Sequence, residues 1–396
     1  MTLNFQKSEL SSIMAFLAPY ITAQTPVVSI RVLKGGKAEF FASSGPTDGG
    51  SALVRVNCKK SVPVTDYYKN KNEYQWKHVD GLSLQGIVSN AESGEISFDF
   101  GKTALTIKTQ PRTTSELIYL VLDRWNEMTF VTPSSHVKGK DLNMVARMTE
   151  AASTDEARPS LNGIYIAASK KKIEAAAADG YILSFASIQA GEIEVPGAIY
   201  SVKALNRAKR ALKAADDELV EIGFGLNGKG VIPGLVLSAA REDNNVQLLL
   251  HIPKMDGAFP DYKQIAKSAP KGITVEIETS TMDKLLKRAN AIEGHVFFQV
   301  LGGFLWFMAL NEDTEQKSVD SLAANANGES VVMHYAPSLL KDTLKACAAN
   351  GKVKLTFPKA SNSPMLFEGE ASVIAMPLNN PLKESPFKNL QPALPL

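Results

Sequence analysis

The chain is poor in the residues that build metal or redox sites. Among its 396 residues there are only two cysteines, Cys58 and Cys347, which lie far apart in sequence. Two distant cysteines provide neither a disulfide framework nor a thiolate metal site. The five histidines, at positions 78, 136, 251, 295 and 334, show none of the short spacings of a metal site. We therefore expect no cofactor and no metal ion.

Long hydrophobic runs and a strong excess of one charge are also missing. No apolar stretch is long enough to cross a bilayer, and the N-terminal MTLNFQKSEL does not have the pattern of a signal peptide. We therefore expect a cytoplasmic protein without a membrane partner. The net charge of +2 excludes a strongly basic, histone-like binder, but it allows a basic stripe that acidic residues balance elsewhere.

The sequence offers no catalytic constellation. No local pattern indicates a Ser-His-Asp or Cys-His nucleophile. The glycines at 223, 225 and 228 satisfy GxGxxG, but two predicted strands flank them, whereas a dinucleotide site needs a strand followed by a helix. Asp155, Glu156 and Asp179 are explained by loop and turn positions. We therefore expect a protein that is not an enzyme.

A helix–strands–helix–strands pattern occurs three times. A chain of this length predicts two or three domains, and the pattern places them at 1–137, 138–269 and 270–378, with a tail at 379–396. Helical periodicity predicts helices at 5–21, 79–90, 140–152, 202–215, 279–291 and 337–348, with Ser201 as an N-cap and Pro337 in a first turn. Strands are predicted between them, among them 117–122, 181–188, 295–301 and 304–310. The fold class is α+β, an internal repeat at the level of pattern.

The stretch from 153 to 183 carries the most specific motif. It reads TDEARPSLNGIYI and then AADGYIL, with the turn Asp179-Gly180 leading into a strand. This order resembles the second domain of the bacterial DNA polymerase III β-subunit, the sliding clamp. FPDY at 259–262 and VIAMPL at 373–378 are similar to that family's linker and terminal strand. The resemblance covers roughly 139 to 378. Over the first unit only the order of elements and the length agree.

The resemblance implies a fold and partners. Each clamp domain is a pair of β-α-β-β-β halves with the sheets outside and two helices inside. Two chains close head to tail into a homodimeric ring. The implied function is that of a non-catalytic processivity factor in DNA replication, which encircles duplex DNA in the nucleoid and holds a DNA polymerase and clamp-loader subunits through a cleft between domains 2 and 3.

Cations concentrate on the predicted helices. Lys203, Arg207 and Arg210 fall at i, i+4 and i+7, with Lys209 and Lys213 beside them, while Leu205, Ala208 and Leu212 line the opposite side. A solvated polar face explains any one such helix, but several in one chain predict a positive surface for phosphate backbones. The first unit carries few such cations. The DNA-binding residues predicted are Lys140, Arg147, Arg158, Lys203, Arg207, Arg210, Lys284, Lys287, Arg288, Lys341 and Lys345.

The resemblance also predicts the cleft that receives partner peptides. The alternative is that its residues belong to an ordinary core. Ile182 and Gln264 stand where arginine is common in the family, which predicts a changed partner preference. The cleft residues predicted are Leu161, Ala178, Gly180, Tyr181, Leu183, Pro260, Ile265, Pro364, Ile374, Met376, Pro377 and Leu378.

The tail is rich in proline and is predicted to be flexible. Its last six residues place Gln391, Leu394 and Leu396 as in the hexapeptide class of clamp-binding motifs, which makes them a candidate tethered ligand. The alternative is a chance match in a proline-rich end.

Three other interpretations stay open at this point. The polar and aromatic stretch 67–78 is an irregular insertion or a surface that stacks on nucleic acid. The chain could be an α+β enzyme with FPDY and DGY as site walls, although no titratable cluster supports this. It could also have the clamp fold and act as a regulator whose cleft is occluded.

Overall fold

The structure is a computed structural model. It describes residues 2–33, 37–45, 49–57, 60–61, 75–92, 94–109, 113–122, 133, 135–213, 218–225, 233–241, 246–324, 326, 328–347, 351–379, 384–388 and 390. We call residues 2–122 the first unit, 135–261 the second unit and 262–378 the third unit. The predicted boundary at 137/138 falls inside a strand that pairs within the second unit.

The described residues form seven helices and twenty-five strands. The helices are α1 (Lys7–Leu17), α2 (Gly81–Asn90), α3 (Gly139–Met148), α4 (Val202–Leu212), α5 (Tyr262–Lys267), α6 (Thr279–Ala291) and α7 (Pro337–Ala346). The first unit contains β1 (Thr2–Gln6), β2 (Val27–Leu33), β3 (Lys37–Ser43), β4 (Ser51–Asn57), β5 (Lys60–Ser61), β6 (Lys77–Asp80), β7 (Glu95–Phe100), β8 (Ala104–Thr109) and β9 (Thr113–Ile118).

The other two units contain the remaining sixteen strands. The second unit has β10 (Ser135–Lys138), β11 (Gly163–Ser169), β12 (Lys172–Ala178), β13 (Ile182–Gln189), β14 (Val195–Ser201), β15 (Leu219–Gly225), β16 (Gly234–Arg241) and β17 (Val246–Met255). The third unit has β18 (Thr274–Glu278), β19 (His295–Leu301), β20 (Phe304–Leu310), β21 (Lys317–Ala323), β22 (Met333–Tyr335), β23 (Lys352–Thr356), β24 (Met365–Glu368) and β25 (Ser372–Ala375).

Each unit consists of two β-α-β-β-β halves, as the resemblance predicts. In the second unit these are β10-α3-β11-β12-β13 and β14-α4-β15-β16-β17. The other two units have the same order of elements, and the first unit has the extra strand β5 between its halves. The two halves exchange their first strands: β10 pairs with β15 and β14 pairs with β11. The equivalent exchanges, β1 with β7 and β6 with β2, and β18 with β23 and β22 with β19, occur in the other units. The internal repeat is therefore structural.

Neighbouring units are joined by equivalent strands. β4 pairs antiparallel with β17 through six residue pairs, and β13 pairs antiparallel with β25 through four. In each case the last strand of a unit's first half meets the last strand of the next unit's second half. These two contacts, which we call joints, connect the three units into one long sheet. A five-stranded sheet ending at β9 and a four-stranded sheet ending at β21 stand outside it.

The helices pack beside one another on one side of the sheets. Their packing order is α2–α1–α4–α3–α7–α6, so the row crosses both joints without interruption. Each helix buries an apolar face, for example Leu205, Ala208 and Leu212 of α4. One continuous cluster of buried side chains runs through all three units. None of the described helices is long and apolar enough to cross a membrane.

Most elements predicted from periodicity are confirmed. The helix at 279–291 and the strands at 295–301 and 304–310 have the predicted bounds. Ser201 caps α4, since its hydroxyl accepts a hydrogen bond from the Ala204 N–H at 3.4 Å, and Pro337 opens α7. The bounds of the strand predicted at 117–122 are wrong, because β9 spans Thr113–Ile118. Its pairing with β8 ends at Ile118, although the apolar run continues. Most of the stretch 67–78 lies outside the described residues.

Candidate functional site

The Asp179-Gly180 turn shapes one wall of the predicted cleft. The Asp179 carboxylate accepts hydrogen bonds from the N–H groups of Tyr181 and Ile182 at 2.7 and 2.8 Å. Gly180 has φ +103°, a left-handed conformation that favours glycine. The turn therefore leaves Tyr181 projecting into solvent, with 64% of its surface exposed.

The predicted cleft residues of the second and third units meet at the joint between β13 and β25. Leu183 pairs with Ile374, and the Met376 N–H donates to the Tyr181 carbonyl at 2.8 Å. Leu183 and Ile374 are buried, whereas Met376 is 39% exposed. The predicted second-unit and third-unit residues are thus brought together by backbone pairing, with exposed apolar groups at the rim.

An aromatic cluster holds the linker, residues 259–262, against the turn at Asp179-Gly180 and the strand that follows it. Tyr262 of α5 is buried in one cluster with Leu183 and Ala176, and Phe259 stacks on Tyr165 with ring centroids 5.6 Å apart. Asp261 caps α5 by accepting a hydrogen bond from the Lys263 N–H at 3.2 Å. These contacts hold α5 beside Leu183.

Glu174 on β12 is the polar anchor of the linker. Its carboxylate lies 2.5 Å from Lys263 Nζ and 3.1 Å from Lys172 Nζ, and it accepts a hydrogen bond from the Tyr262 hydroxyl at 3.4 Å. The Lys263 hydrogen bond, helped by Lys172, lowers the pKa of Glu174 below its ordinary value. Burial, followed by the Glu174 charge, raises the pKa of the Tyr262 hydroxyl, which therefore stays a donor.

The remaining predicted cleft residues take different positions. Pro364 precedes Met365, which pairs with Ala375, and so it borders β25. Pro260 accepts a hydrogen bond from the Tyr262 N–H, and Ile265 on α5 is 45% exposed. The other predicted members beside these two walls are Leu161, Ala178, Pro377 and Leu378, all partly buried.

The structure changes the interpretation of two further residues. Ile182 is 2% exposed and its side chain belongs to the main core, so it does not face the cleft. The position at which the chain differs from arginine therefore lies in the core and not on the surface of the predicted cleft. Arg158 was predicted to bind DNA, but its Nη1 lies 3.5 Å from the Asp179 carbonyl and 3.0 Å from where a Cβ on Gly180 would lie. Arg158 therefore stands at the cleft wall.

The helix row carries many of the other predicted cations. On α4, Lys203 and Arg210 are exposed and Arg207 donates to the Gly49 carbonyl at 3.3 Å, which ties α4 to the first unit. Lys140 on α3, Lys284 and Lys287 on α6 and Lys341 on α7 are also exposed. Because all four helices belong to one packed row, their cations are distributed along one layer of the molecule.

Besides Arg158, which lies 3.4 Å from Asp155, three of the predicted cations are paired with carboxylates. Arg147 lies 2.9 Å from Glu370 and Lys345 lies 3.1 Å from Glu150, and both ion pairs connect the second unit to the third. Arg288 lies 3.1 Å from Asp320 on β21. All three cations are still 35% to 51% exposed. They serve the structure of the joint and of the third unit, and phosphate binding would have to compete with these pairs.

Sequence reasoning missed one further side-chain cluster beside the cleft. The histidines at 295 and 334 lie apart in sequence, yet His295 Nδ1 is 2.8 Å from His334 Nε2. His334 also donates from Nδ1 to the Asn379 carbonyl at 2.7 Å. The pairing of β19 with β22 brings these two rings together. The spacing of the two histidines in the sequence does not indicate this contact. No group of residues that could hold a metal occurs among the described residues.

Comparison with known proteins agrees with this geometry. Residues 137–261 match the family model of the DNA polymerase III beta subunit, central domain. No curated protein matches the chain.

Solved structures match over nearly the whole chain. The DNA polymerase III subunit beta from Pseudomonas aeruginosa is 17% identical, with a TM-score of 0.75 over 96% of this chain and 100% of that one. The beta subunit from Thermotoga maritima is 18% identical, with a TM-score of 0.73 over 96% and 99%. A putative beta subunit from Eubacterium rectale is 13% identical, with a TM-score of 0.76 over 96% and 100%.

The chain therefore has the DNA-clamp fold. The resemblance to the bacterial DNA polymerase III β-subunit is confirmed by the family model over residues 137–261, and the solved beta subunits share the fold over 96% of the chain.

Proposed function

We propose that the protein is a sliding clamp: two copies close into a ring around duplex DNA, and the cleft tethers a DNA polymerase and other replication partners. No chemical reaction is part of this function. The mechanism is topological linkage, supported by weak electrostatic attraction to the DNA backbone. The observation that carries the proposal is the repetition of the joint.

The two joints predict a third of the same kind. The first-half end strands β4 and β13 each pair with a second-half end strand, β17 and β25. The equivalents left over are β21 and β9, and among the described residues each pairs on one edge only, with β20 and β8. Pairing β21 of one copy with β9 of another repeats the joint, and two copies then close a ring of six units.

The surface of β9 supports this contact. Ile118 is 74% exposed and Val121, just beyond the strand, is 93% exposed. An exposed edge strand with large apolar side chains invites pairing with another chain. In the proposed ring these side chains are covered by the third unit of the second copy.

The helix row supports binding of duplex DNA. In the proposed ring the exposed lysines and arginines of the row belong to one layer of each copy, because the helices that carry them pack side by side. Lysine and arginine contacts to phosphates are insensitive to base sequence and weaken as salt rises. Such contacts suit a protein that moves along DNA.

The cleft supports peptide binding. Tyr181, Met376 and Ile265 expose apolar surface around a buried floor formed by Leu183 and Ile374. Leucine, isoleucine and methionine side chains of this kind suit apolar anchors of a peptide, and methionine adapts to several of them. The assignment of a polymerase and loader subunits as partners rests on the likeness to bacterial clamps.

A covalently closed ring tests the proposal without a loader. In a background with Cys58→Ser and Cys347→Ala, Thr114→Cys on β9 and Ser321→Cys on β21 are bridged by a flexible bismaleimide in the presence of circular duplex DNA. We expect the bridged protein to stay on the circle through a high-salt wash and to leave once the circle is cut. The matched control carries Thr114→Cys alone, which cannot close a ring. Equal loss from intact and cut circles would rule out encirclement.

A further inference from the structure

A segment of the tail docks on the outer face of the third unit. β19 and β20 place Phe298 and Phe307 in the main core and turn Phe297, Trp306 and Met308 to the opposite face. Phe387 covers that face: it is 1% exposed, and its ring centroid lies 5.9 Å from that of Trp306. We call residues 384–388 the tail anchor.

Polar contacts fix the tail anchor as well. The Ser385 hydroxyl donates to Oε1 of Gln299, a residue of the same sheet face, and it accepts from the Phe387 N–H at 3.3 Å. The Leu390 N–H donates to the Phe387 carbonyl at 3.1 Å, so the backbone turns directly after the anchor. The composition of the tail predicts a flexible segment, but residues 384–388 are bound at a defined position on the third unit.

The anchor lies next to the cleft. The Leu378 N–H donates to the His334 carbonyl at 2.8 Å, and the His334 ring stacks on Phe297 with centroids 4.6 Å apart. Phe297 belongs to the cluster that holds Phe387. Two side chains, those of His334 and Phe297, thus connect the end of the cleft to the anchor.

The chain beyond the anchor has the composition of a cleft ligand and begins close to the cleft. Residues 391–396 follow Phe387 by four to nine positions and lie outside the described residues. Nine residues span at most about 30 Å when extended. The six residues contain Leu394, Leu396 and two prolines and no charged side chain, which matches the exposed apolar rim formed by Tyr181 and Met376. Proline also reduces the entropy that such a segment loses on binding.

We propose that residues 391–396 are a tethered ligand of the chain's own cleft, and that the seat of Phe387 sets the length and the origin of the tether. This rests on the proposed peptide-binding role of the cleft and adds its regulation. The cleft is closed by its own tail until a partner peptide competes successfully. The anchor matters because it shortens the free tether, which raises the effective concentration of the ligand at the cleft.

The size of the effect follows from competition. With an effective concentration of about 1 mM and an intrinsic dissociation constant of about 0.1 mM, the tail weakens an added peptide roughly tenfold. Releasing Phe387 lengthens the free tether and removes part of this effect, so the anchor variant lies between the full chain and the truncated chain.

The experiment measures binding of a fluorescent peptide with the sequence QPALPL by anisotropy. We expect the full chain to bind it roughly tenfold more weakly than a chain that ends at 390, with Phe387→Ala between the two. The double variant Leu394→Ala/Leu396→Ala should match the truncated chain. Lys388→Ala, an exposed change within the anchor, is the matched control and should match the full chain. Met376→Glu in the truncated chain should abolish binding, because it places a charge at the cleft rim.

The outcomes separate the two proposals. Equal peptide affinity of the full and truncated chains would overturn the tethered ligand and leave the cleft intact. Absence of binding to every variant would overturn the cleft itself, and the tethered ligand with it. A full-chain affinity that recovers on dilution would show that the tail occupies the cleft of another copy, which also contradicts the proposal.

Discussion

His334 shows how one side chain links the cleft, the core and the tail. Its Nδ1 must carry the proton, because the Asn379 carbonyl can only accept, and its Nε2 therefore accepts from His295. Burial lowers the pKa of His334, and His295 lowers it further, while the Asn379 hydrogen bond and the Glu312 charge oppose this. The neutral ring is thus the form that fits the folded chain.

Acid should loosen the tail at this residue. A histidine whose pKa in the folded chain lies below about 6.5 binds a proton more readily in the unfolded chain. The free energy of unfolding therefore falls as pH drops below that value, and the contact of His334 with Asn379 weakens with it. We expect thermal unfolding midpoints between about pH 8 and about pH 5.5 to fall more for the wild-type chain than for His334→Gln, which can still donate to Asn379. His136→Gln, at an exposed histidine, is the control and should fall like the wild type. Parallel pH profiles for wild type and His334→Gln would contradict this role.

At the scale of elements, the joints are the contacts on which the architecture depends. Both use end strands, both are antiparallel, and both leave the helix row unbroken across them. The proposed cleft lies at the β13–β25 joint, which also has two ion pairs, Arg147–Glu370 and Lys345–Glu150. Exposed ion pairs contribute little each, so backbone pairing and the buried side chains hold the joint.

An acidic residue on β9 should separate the proposed dimer. Ile118→Asp removes an apolar side chain that is 74% exposed in one copy and covered in the ring, and it places a charge in that contact. We expect dimer affinity to fall at least about tenfold, equivalent to about 1.4 kcal/mol, with little change in the unfolding of the separate copy. Sedimentation equilibrium measures this. Leu219→Asp, which replaces an equally large exposed residue on β15, should leave the mass distribution unchanged. Equal behaviour of both variants would exclude β9 from the interface.

At the scale of the whole molecule, the net charge is close to zero although the positive charges are unevenly distributed over the surface. The chain carries only +2 overall, yet exposed cations are spread along the helix row from α4 to α6. Electrostatic attraction to DNA depends on such a local surface more than on the total charge.

Removing two row cations should weaken DNA binding equally for all sequences. For Lys203→Gln/Arg210→Gln we expect weaker binding and a plot of log affinity against log salt that is shallower by about two, since each phosphate contact contributes about 0.9 to the slope. Fluorescence anisotropy with two unrelated duplexes checks both points. Lys170→Gln/Lys171→Gln, on the exposed turn between β11 and β12, is the matched control. An unchanged slope, or a loss confined to one duplex, would contradict the role of the row.

Sequence periodicity predicted the elements whose pattern is strong and local. The helix α6 and the strands β19 and β20 alternate or repeat their apolar residues clearly, and their bounds were correct. The strands β14 and β22 were missed because each pairs with a strand from the other half of its unit, and such a pairing has no local signal in the sequence. The strand β9 was placed four residues too late because the apolar run extends beyond its pairing partner.

The cleft was predictable only in part. The TDEARPSLNG and ADGYIL motifs pointed to Gly180, Tyr181 and Leu183, and the structure sets them beside Ile374 and Met376. The Glu174–Lys263 pair and the seat of Phe387 could not be foreseen, because each depends on contacts between residues distant in sequence. Strand alternation explains Ile182: it points opposite to Leu183 and therefore into the core.

The exchange of first strands between halves has a mechanical consequence. Because β10 is held by β15 and β14 by β11, neither half of a unit can be pulled away without breaking two separate ladders and the core between them. A joint has only one ladder beside its helix contacts and buried side chains, and the ladder between β13 and β25 has only four residue pairs. Under tension the molecule should therefore part between units while each unit keeps its shape. When the molecule is stretched in an optical trap, the first extension should be a small step from separation of the β13–β25 joint. Unfolding of whole units should follow only at higher force.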